Sequence, residues 1–204
     1  MRTMHFAAAM ASALVLSTPA SAGFFDLTLA PYIGASLGLS DTDICNAGDT
    51  CDDKDTAWKI YGGLEVNEFI SMEVGYVNMG EVRFDSYTSG GSTVPLSGRR
   101  EIDGMIMQVL GTYMINPSIT LMATGGLNIL NTEVNGTIAG TPTNNTGDTD
   151  VVWSFGLGGQ YNFTPAVGLR AEWTRYFETG SSSFNGGTGE ADVDLLSAGI
   201  VYKF

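Results

Sequence analysis

The sequence predicts an all-β fold, an eight-stranded antiparallel up-and-down transmembrane β-barrel. Three observations lead to this prediction. Apolar residues alternate with small or polar ones over segments of about ten residues, which is the pattern of strands that cross a membrane. Short connections alternate along the chain with long polar segments rich in Gly, Ser, Thr, Asn and Asp. The first segment of the chain is typical of exported proteins.

The first 22 residues are predicted to be a secretory signal peptide. Arg2 supplies a positive charge, Phe6–Leu16 is apolar, and Ala20–Ala22 provides the small residues of a cleavage site. The apolar stretch is shorter than the ~20 residues that a transmembrane helix needs. Cleavage after Ala22 would leave residues 23–204 as a single barrel domain.

The composition of the predicted mature chain excludes several classes of function. It carries 8 Lys and Arg residues against 22 Asp and Glu, a formal net charge of −14, which argues against nucleic acid as a partner. The single histidine, His5, lies in the segment predicted to be removed. Serine and cysteine catalysis and many metal sites use histidine. We therefore expect no enzyme activity, no cofactor and no metal.

Two cysteines and six aspartates share the polar segment Ser40–Thr56. In an exported protein, Cys45 and Cys51 are predicted to form a disulfide, since two thiols without histidine make only half of a zinc site. The aspartates are Asp41, Asp43, Asp49, Asp52, Asp53 and Asp55. Their spacing differs from that of an EF-hand. A solvated surface loop is favoured, and calcium binding stays open.

Eight segments carry the strand pattern. They are Leu27–Leu39, Ala57–Val66, Ile70–Met79, Asp103–Ile115, Ile119–Leu130, Val151–Phe163, Ala166–Phe177 and Ala191–Phe204. Short turns join them at one end, at Asn67–Glu68, Asn116–Ser118 and Thr164–Pro165. Loops are predicted at the other end, at Ser40–Thr56, Gly80–Ile102, Asn131–Asp150 and Glu178–Glu190. This asymmetry is typical of bacterial outer-membrane barrels, and it predicts a Gram-negative outer membrane with both termini in the periplasm.

The two faces of the predicted strands differ in polarity. Hydrocarbon cannot solvate a charge, so the lipid-facing side must be apolar throughout, as in the alternating series from Trp153 to Phe163. A soluble barrel would place the same apolar faces inside, but the export signal and the loop asymmetry favour apolar residues outside. The opposite faces are predicted to form an interior network of Lys59, Glu65, Glu73, Gln160, Arg170 and Glu172.

Three runs of the chain resemble the transmembrane domain of OmpA and related small barrel porins. They are KIYGGLEVNEFISMEVGYVNMG (Lys59–Gly80), GLGGQYNFTPAVGLRAEWTRY (Gly156–Tyr176) and LLSAGIVYKF (Leu195–Phe204). The resemblance covers essentially the whole mature chain, in order, with diverging loops. It implies a charged, hydrogen-bonded interior with little open bore.

The resemblance also assigns individual positions. Glu73, Arg170 and Glu172 match network positions, whereas Gln160 replaces an acid and Ala123 a basic residue of the OmpA pattern. The final run resembles the signal read by the barrel-assembly machinery, at Ser197, Gly199, Tyr202 and Phe204. OmpA continues into a peptidoglycan-binding domain where this sequence ends, so tethering to the cell wall is not expected.

The expected function is a structural and surface-interaction role, in which four acidic extracellular loops are presented as in an adhesin or surface antigen. The alternative is a narrow porin-like channel for ions or small solutes, or a conduit for hydrophobic ligands. An eight-stranded barrel is just wide enough for side chains to fill, and buried charges must pair, which favours the structural role. The expected partners are outer-membrane lipid, the barrel-assembly machinery and host or environmental ligands of the loops, with the chain a monomer.

Overall fold

The computed structural model describes residues 29–43, 51–89, 92–138, 141–142, 146–179 and 191–204. Eight long strands account for most of them. They are β1 Ala30–Thr42, β2 Lys54–Glu65, β3 Ile70–Ser89, β4 Ser92–Asn116, β5 Ile119–Ile138, β6 Thr146–Asn162, β7 Val167–Thr179 and β8 Ala191–Lys203. Two short segments, Cys51–Asp52 and Thr141–Pro142, pair with β3 and β5. The predicted signal peptide and its cleavage site at Ala22 lie outside the described residues.

The strands form a closed ring. Each strand pairs antiparallel with the next along the chain, from β1–β2 to β7–β8. The ring closes where β8 pairs with β1, in a register from Tyr32–Lys203 to Thr42–Val193. The predicted eight-stranded up-and-down barrel is therefore confirmed. No helix in the described part of the chain is long and apolar enough to cross a membrane.

Two of the predicted loops are wrong. The segments Gly80–Ile102 and Asn131–Asp150 lie largely in strands, because β3 and β4 continue as a paired ladder to Ser89 and Ser92 and β5 runs to Ile138. The ladder shifts register at two irregular positions in β3. Alternation of apolar and polar residues arises because one face of a strand is buried. Strands that extend into water are polar on both faces and lack this alternation, so the sequence predicts loops there.

The strands reach different heights at the end opposite the short turns. β4 has 25 residues, β3 and β5 have 20 and β6 has 17, whereas the other strands have 12 or 13. A tilted strand needs about 9–11 residues to cross a bilayer. The four long strands therefore rise above the rest, and we call residues 81–89, 92–101, 133–138 and 146–149 the outer sheet.

One side of the outer sheet ends at β6. The β6–β7 pairs run from Asn162–Gly168 to Ser154–Tyr176, while β6 stays paired with β5 as far as Val134–Thr146. In the described pairing, the outer part of β6 thus has a neighbour on one side only. Beyond Tyr176, β7 bends at Glu178, which has a φ of 52° and donates its backbone N–H to Asp192.

The outward faces of the strands form an apolar band. Leu37 is 69 % exposed and Trp153 67 % exposed, and similar side chains surround the barrel. Toward the short turns, Tyr161 packs edge-on against Phe163 and Tyr202 against Phe204, with ring centroids 5.1 and 5.2 Å apart. Apolar walls that end in aromatic rings are the lipid-facing surface of a transmembrane barrel.

A charge placed on this band should destabilise the barrel in lipid. We expect Leu37→Arg to lower the free energy of unfolding from phospholipid vesicles by about 2–4 kcal/mol, because the bilayer centre does not solvate a guanidinium. Asn131→Arg, at an exposed position above the band, is the matched control and should cost far less. The measurement is denaturant titration followed by tryptophan fluorescence. Equal costs for the two variants would contradict the placement of the band.

Candidate functional site

Two ion pairs lie across the interior of the barrel. The Nζ atom of Lys59 on β2 lies 2.9 Å from Oε1 of Glu172 on β7, and both side chains are about 1 % exposed. Arg170, also on β7, forms an ion pair with Glu73 on β3. We call these four residues the ionic layer. Alternation along each strand turns them inward, and the closed ring brings strands that are not neighbours within contact distance.

Hydrogen bonds and aromatic rings surround the ionic layer. The Tyr32 hydroxyl donates to Oε1 of Glu73 at 2.8 Å, and the Thr174 hydroxyl donates to Oε1 of Glu172 at 2.7 Å. The Arg170 guanidinium lies 5.6 and 5.0 Å from the ring centroids of Tyr32 and Tyr61. These contacts offset part of the cost of removing four charges from water.

Glycines make room for the two tyrosines. A Cβ atom at Gly34 would overlap the ring of Tyr61, and one at Gly63 would overlap the ring of Tyr32. The rings therefore lie over backbone that has no side chain. Tyr32 and Tyr61 were not among the predicted site residues, and a glycine on the neighbouring strand is the signal that could have revealed them.

The other two predicted interior residues lie nearer the short turns. Gln160 accepts a hydrogen bond from Nε of Arg170 at 3.3 Å, so it contacts the ionic layer. Glu65 is separate from that layer and pairs with Lys203 on β8, at 2.5 Å. Lys203 was not predicted to belong to the interior network, although it shares the inward face of β8 with Val201. Glu65 and Lys203 line a cavity of about 90 Å³, together with Tyr32, Ser71 and Arg170.

Above the ionic layer, away from the short turns, the interior contains a large apolar cluster. A cluster of buried side chains, which we call the apolar layer, receives residues from seven of the eight strands. Its members are Ala57, Val77, Met79, Ile102, Ile106, Leu130, Val152, Tyr176, Val193 and Leu195. The predicted interior was charged and hydrogen-bonded. The structure places the paired charges near the short turns and the apolar cluster nearer the outer end, among buried polar residues such as Ser40 and Asn128.

The outer rim is acidic and is held by few cations. The Arg175 guanidinium lies within 3.0–3.3 Å of carboxylate oxygens of Asp43, Asp192 and Asp194. Lys54 pairs with Asp41 at 3.1 Å, and the hydrogen bond and charge of Asp41 raise the pKa of the exposed Lys54 ammonium. In the described part of the chain, no group of three or more acidic, cysteine or histidine side chains is arranged to hold a metal ion.

Two further predicted features are the disulfide and the assembly signal. Cys45 and the side chain of Cys51 fall outside the described residues, so their disulfide stays a prediction. Of the predicted assembly-signal residues Ser197, Gly199, Tyr202 and Phe204, the first two point inward and the aromatic pair points outward. A Cβ atom at Gly199 would collide with the backbone of β1.

A closed ring of eight strands, an apolar outside and a filled interior define an outer-membrane β-barrel. Residues 6–204 match the family described as outer membrane protein beta-barrel domain, and the chain belongs to this family. It is a protein of the Gram-negative outer membrane. The family membership and the OmpA-like resemblance of the sequence thus agree.

Individual relatives are distant. Outer membrane protein A of Salmonella typhi is 26 % identical over 176 residues, which are 85 % of this chain and 48 % of the relative. The chain thus spans about half the length of that protein. Neisserial surface protein A superposes with a TM-score of 0.54 at 16 % identity, covering 85 % of this chain and 97 % of the neighbour. The attachment invasion locus protein Ail of Yersinia pestis gives 0.51 at 13 %, covering 85 % and 99 %. Both structural similarities concern the fold.

Breaking an ion pair of the ionic layer should be costly. We expect Arg170→Ala to lower the free energy of unfolding by about 3–5 kcal/mol, because it leaves the buried Glu73 carboxylate without a counter-ion. Adding Glu73→Gln should recover part of the loss, because the two residues are coupled. Arg175→Ala at the solvent-exposed rim is the control and should have a much smaller effect. Denaturant titration of wild type, Arg170→Ala, Glu73→Gln, the double variant and Arg175→Ala tests this, and additive losses in the double variant would contradict the pairing.

Proposed function

We propose that the chain is a sealed membrane anchor whose outer end binds ligands at the cell surface, as an adhesin or surface antigen does. The apolar layer is the observation that carries the proposal. Its side chains come from seven of the eight strands and are buried in the interior near the outer end. An ion that crosses this layer would lose its hydration without meeting a compensating charge.

The ionic layer supports the same conclusion. Lys59 and Arg170 are paired with glutamates, so their charges neutralise one another instead of lining an open path. The cavity beside Glu65 and Lys203 lies at the short-turn end, below this layer. A narrow channel or a conduit for hydrophobic ligands is therefore the second candidate. The cavity supports it, whereas the two filled layers oppose it.

The outer sheet offers an extended surface for binding. Glu81, Glu101 and Glu133 are successive cross-strand neighbours on its outward side. Arg83 lies 2.7 Å and Arg99 3.5 Å from Glu81, so the carboxylate row is partly neutralised and the surface carries both signs of charge. Ail bears the name of an attachment and invasion protein, and its structure holds the heparin analogue sucrose octasulfate. That precedent supports a binding role for this fold.

In this role the barrel has one orientation in the membrane and a defined set of partners. The short turns and both ends of the described chain lie in the periplasm, and the outer sheet lies outside the cell. The barrel-assembly machinery reads Ser197, Gly199, Tyr202 and Phe204 during insertion. The chain works as a monomer without catalysis, and its ligands are molecules of the host or the environment.

Ion conductance measurements test whether the barrel interior is closed to ions. In planar bilayers, the wild-type barrel should conduct weakly, and Leu130→Ser combined with Tyr176→Ser should raise the conductance severalfold, because two large members of the apolar layer become small and polar. Ile129→Ser combined with Phe177→Ser is the matched control, since these neighbours face outward. Wild-type conductance as large as that of the inward variant would favour the channel.

Trimming the outer sheet tests the surface role. Glu81 and Glu101 are direct cross-strand partners, so residues 82–100 can be replaced by an Asn-Gly turn. Bacteria that display the trimmed chain should adhere to cultured epithelial cells no better than cells with an empty vector. Ser118→Gly, at the short-turn end, should leave adhesion unchanged. Surface amounts are matched with an antibody to an epitope tag. Adhesion by the trimmed chain equal to that of the full chain would refute the surface role of this sheet.

A further inference from the structure

Arg100 on β4 is a buried cation that forms no ion pair with a carboxylate of the described residues, although the charge of Asp150 acts on it. Arg100 is 3 % exposed, and its Nη2 atom donates to the backbone carbonyl oxygen of Thr179 at 2.5 Å. Its Nε atom has no hydrogen-bond partner. The other buried cations of the described chain, Lys59 and Arg170, each pair with a glutamate. A buried guanidinium is costly when no carboxylate bonds to it directly, so Arg100 keeps hydrogen-bonding capacity for a negatively charged acceptor.

Arg100 lies at the outer mouth of the barrel. Its hydrogen bond joins β4 to β7, and the next inward residue of β4 toward the membrane is Ile102 of the apolar layer. The guanidinium therefore lies above the apolar layer, on the side that faces the outside of the cell. A ligand that reaches it from outside does not need to cross the barrel.

Other buried polar atoms without partners lie around Arg100. Among the described residues they are Thr132 Oγ1 on β5, Asp150 Oδ2 on β6 and Thr179 Oγ1 on β7. The strand register places Thr132 and Asp150 near Arg100. On β5, Val134 lies opposite Arg100 and Leu130 lies opposite Asp150, and Thr132 is two residues from each of them. No ion pair joins Arg100 to Asp150 in the described part of the chain. The cluster thus offers a cation, hydroxyl groups and a carboxylate that needs a hydrogen-bond donor.

We propose that this cluster binds a hydroxylated monocarboxylate such as a sugar acid. The ligand carboxylate accepts hydrogen bonds from Arg100, and ligand hydroxyls donate to Asp150 and to the threonine hydroxyls. Asp150 and the acidic rim repel a second negative charge, which disfavours phosphate dianions and polysulfates. This site rests on the proposed surface-binding function and names a ligand class for it.

Titration calorimetry of the detergent-folded chain with sodium glucuronate tests the site. We expect saturable binding to wild type and about tenfold weaker binding to Arg100→Gln, because a charge-assisted hydrogen bond is lost. Lys54→Gln is the matched control, because it removes an exposed cation on β2, outside the outer sheet. Acetate, which has no hydroxyl, and glucose, which has no carboxylate, should both bind more weakly than glucuronate.

The outcomes are distinguishable. Absence of binding to wild type, or equal binding by Arg100→Gln, overturns the site. If Arg100→Gln fails to fold, Arg100→Lys takes its place in the test. It retains the charge and should bind glucuronate with part of the wild-type affinity. An oligosaccharide that ends in glucuronate distinguishes the two sources of the ligand. Competition with the monosaccharide indicates a glycan ligand, and lack of competition indicates a free sugar acid. A failed titration combined with loss of adhesion on trimming removes this site and leaves the proposed function standing.

Discussion

The pairing of β8 with β1 is the interaction on which the rest of the structure depends. Hydrocarbon offers no partner for a backbone N–H or C=O, so a sheet can cross a membrane only when its two edge strands satisfy each other. Closure also creates an inside and an outside. Once the ring is closed, alternation assigns every other residue to lipid, and the charged residues of the spanning strands can lie only within the ring.

The interior uses this enclosed space in two different ways. Near the short turns, Lys59, Glu73, Arg170 and Glu172 neutralise one another, supported by the hydroxyl of Tyr32. Near the outer end, a cluster of apolar side chains from seven strands lies inside the ring. The apolar cluster therefore lies on the side of the environment, while the ionic part lies beside the cavity at the short turns. Arg100 stands at the outer boundary of the apolar layer, where the charge of Asp150 acts on it without forming an ion pair.

The sequence predicts this barrel well where one face of a strand meets lipid. Trp153 to Phe163 alternate clearly, and the same parity turns Lys59 and Glu73 inward. The apolar layer could not be read in this way, because β4 carries Ile102 and Ile106 inside and Met105 and Met107 outside, so alternation of polarity disappears. The pairing of Glu65 with Lys203 joins strands that are not neighbours and depends on the stagger of the whole ring. The outer sheet was missed because water bathes it and polarity no longer reports strand direction.

The unequal ends of β6 and β7 have a consequence for contact between protein molecules. Above Ser154, one side of β6 carries backbone groups that the described strands do not pair, and such an edge can recruit a strand from another chain. Asp148 and Asp150 lie along this edge, and their carboxylates would oppose the same residues of an approaching identical edge. Acidic residues on β6 would therefore oppose self-association at a high density of copies. The barrel closes its edges within lipid by pairing and protects the edge it leaves in water by charge.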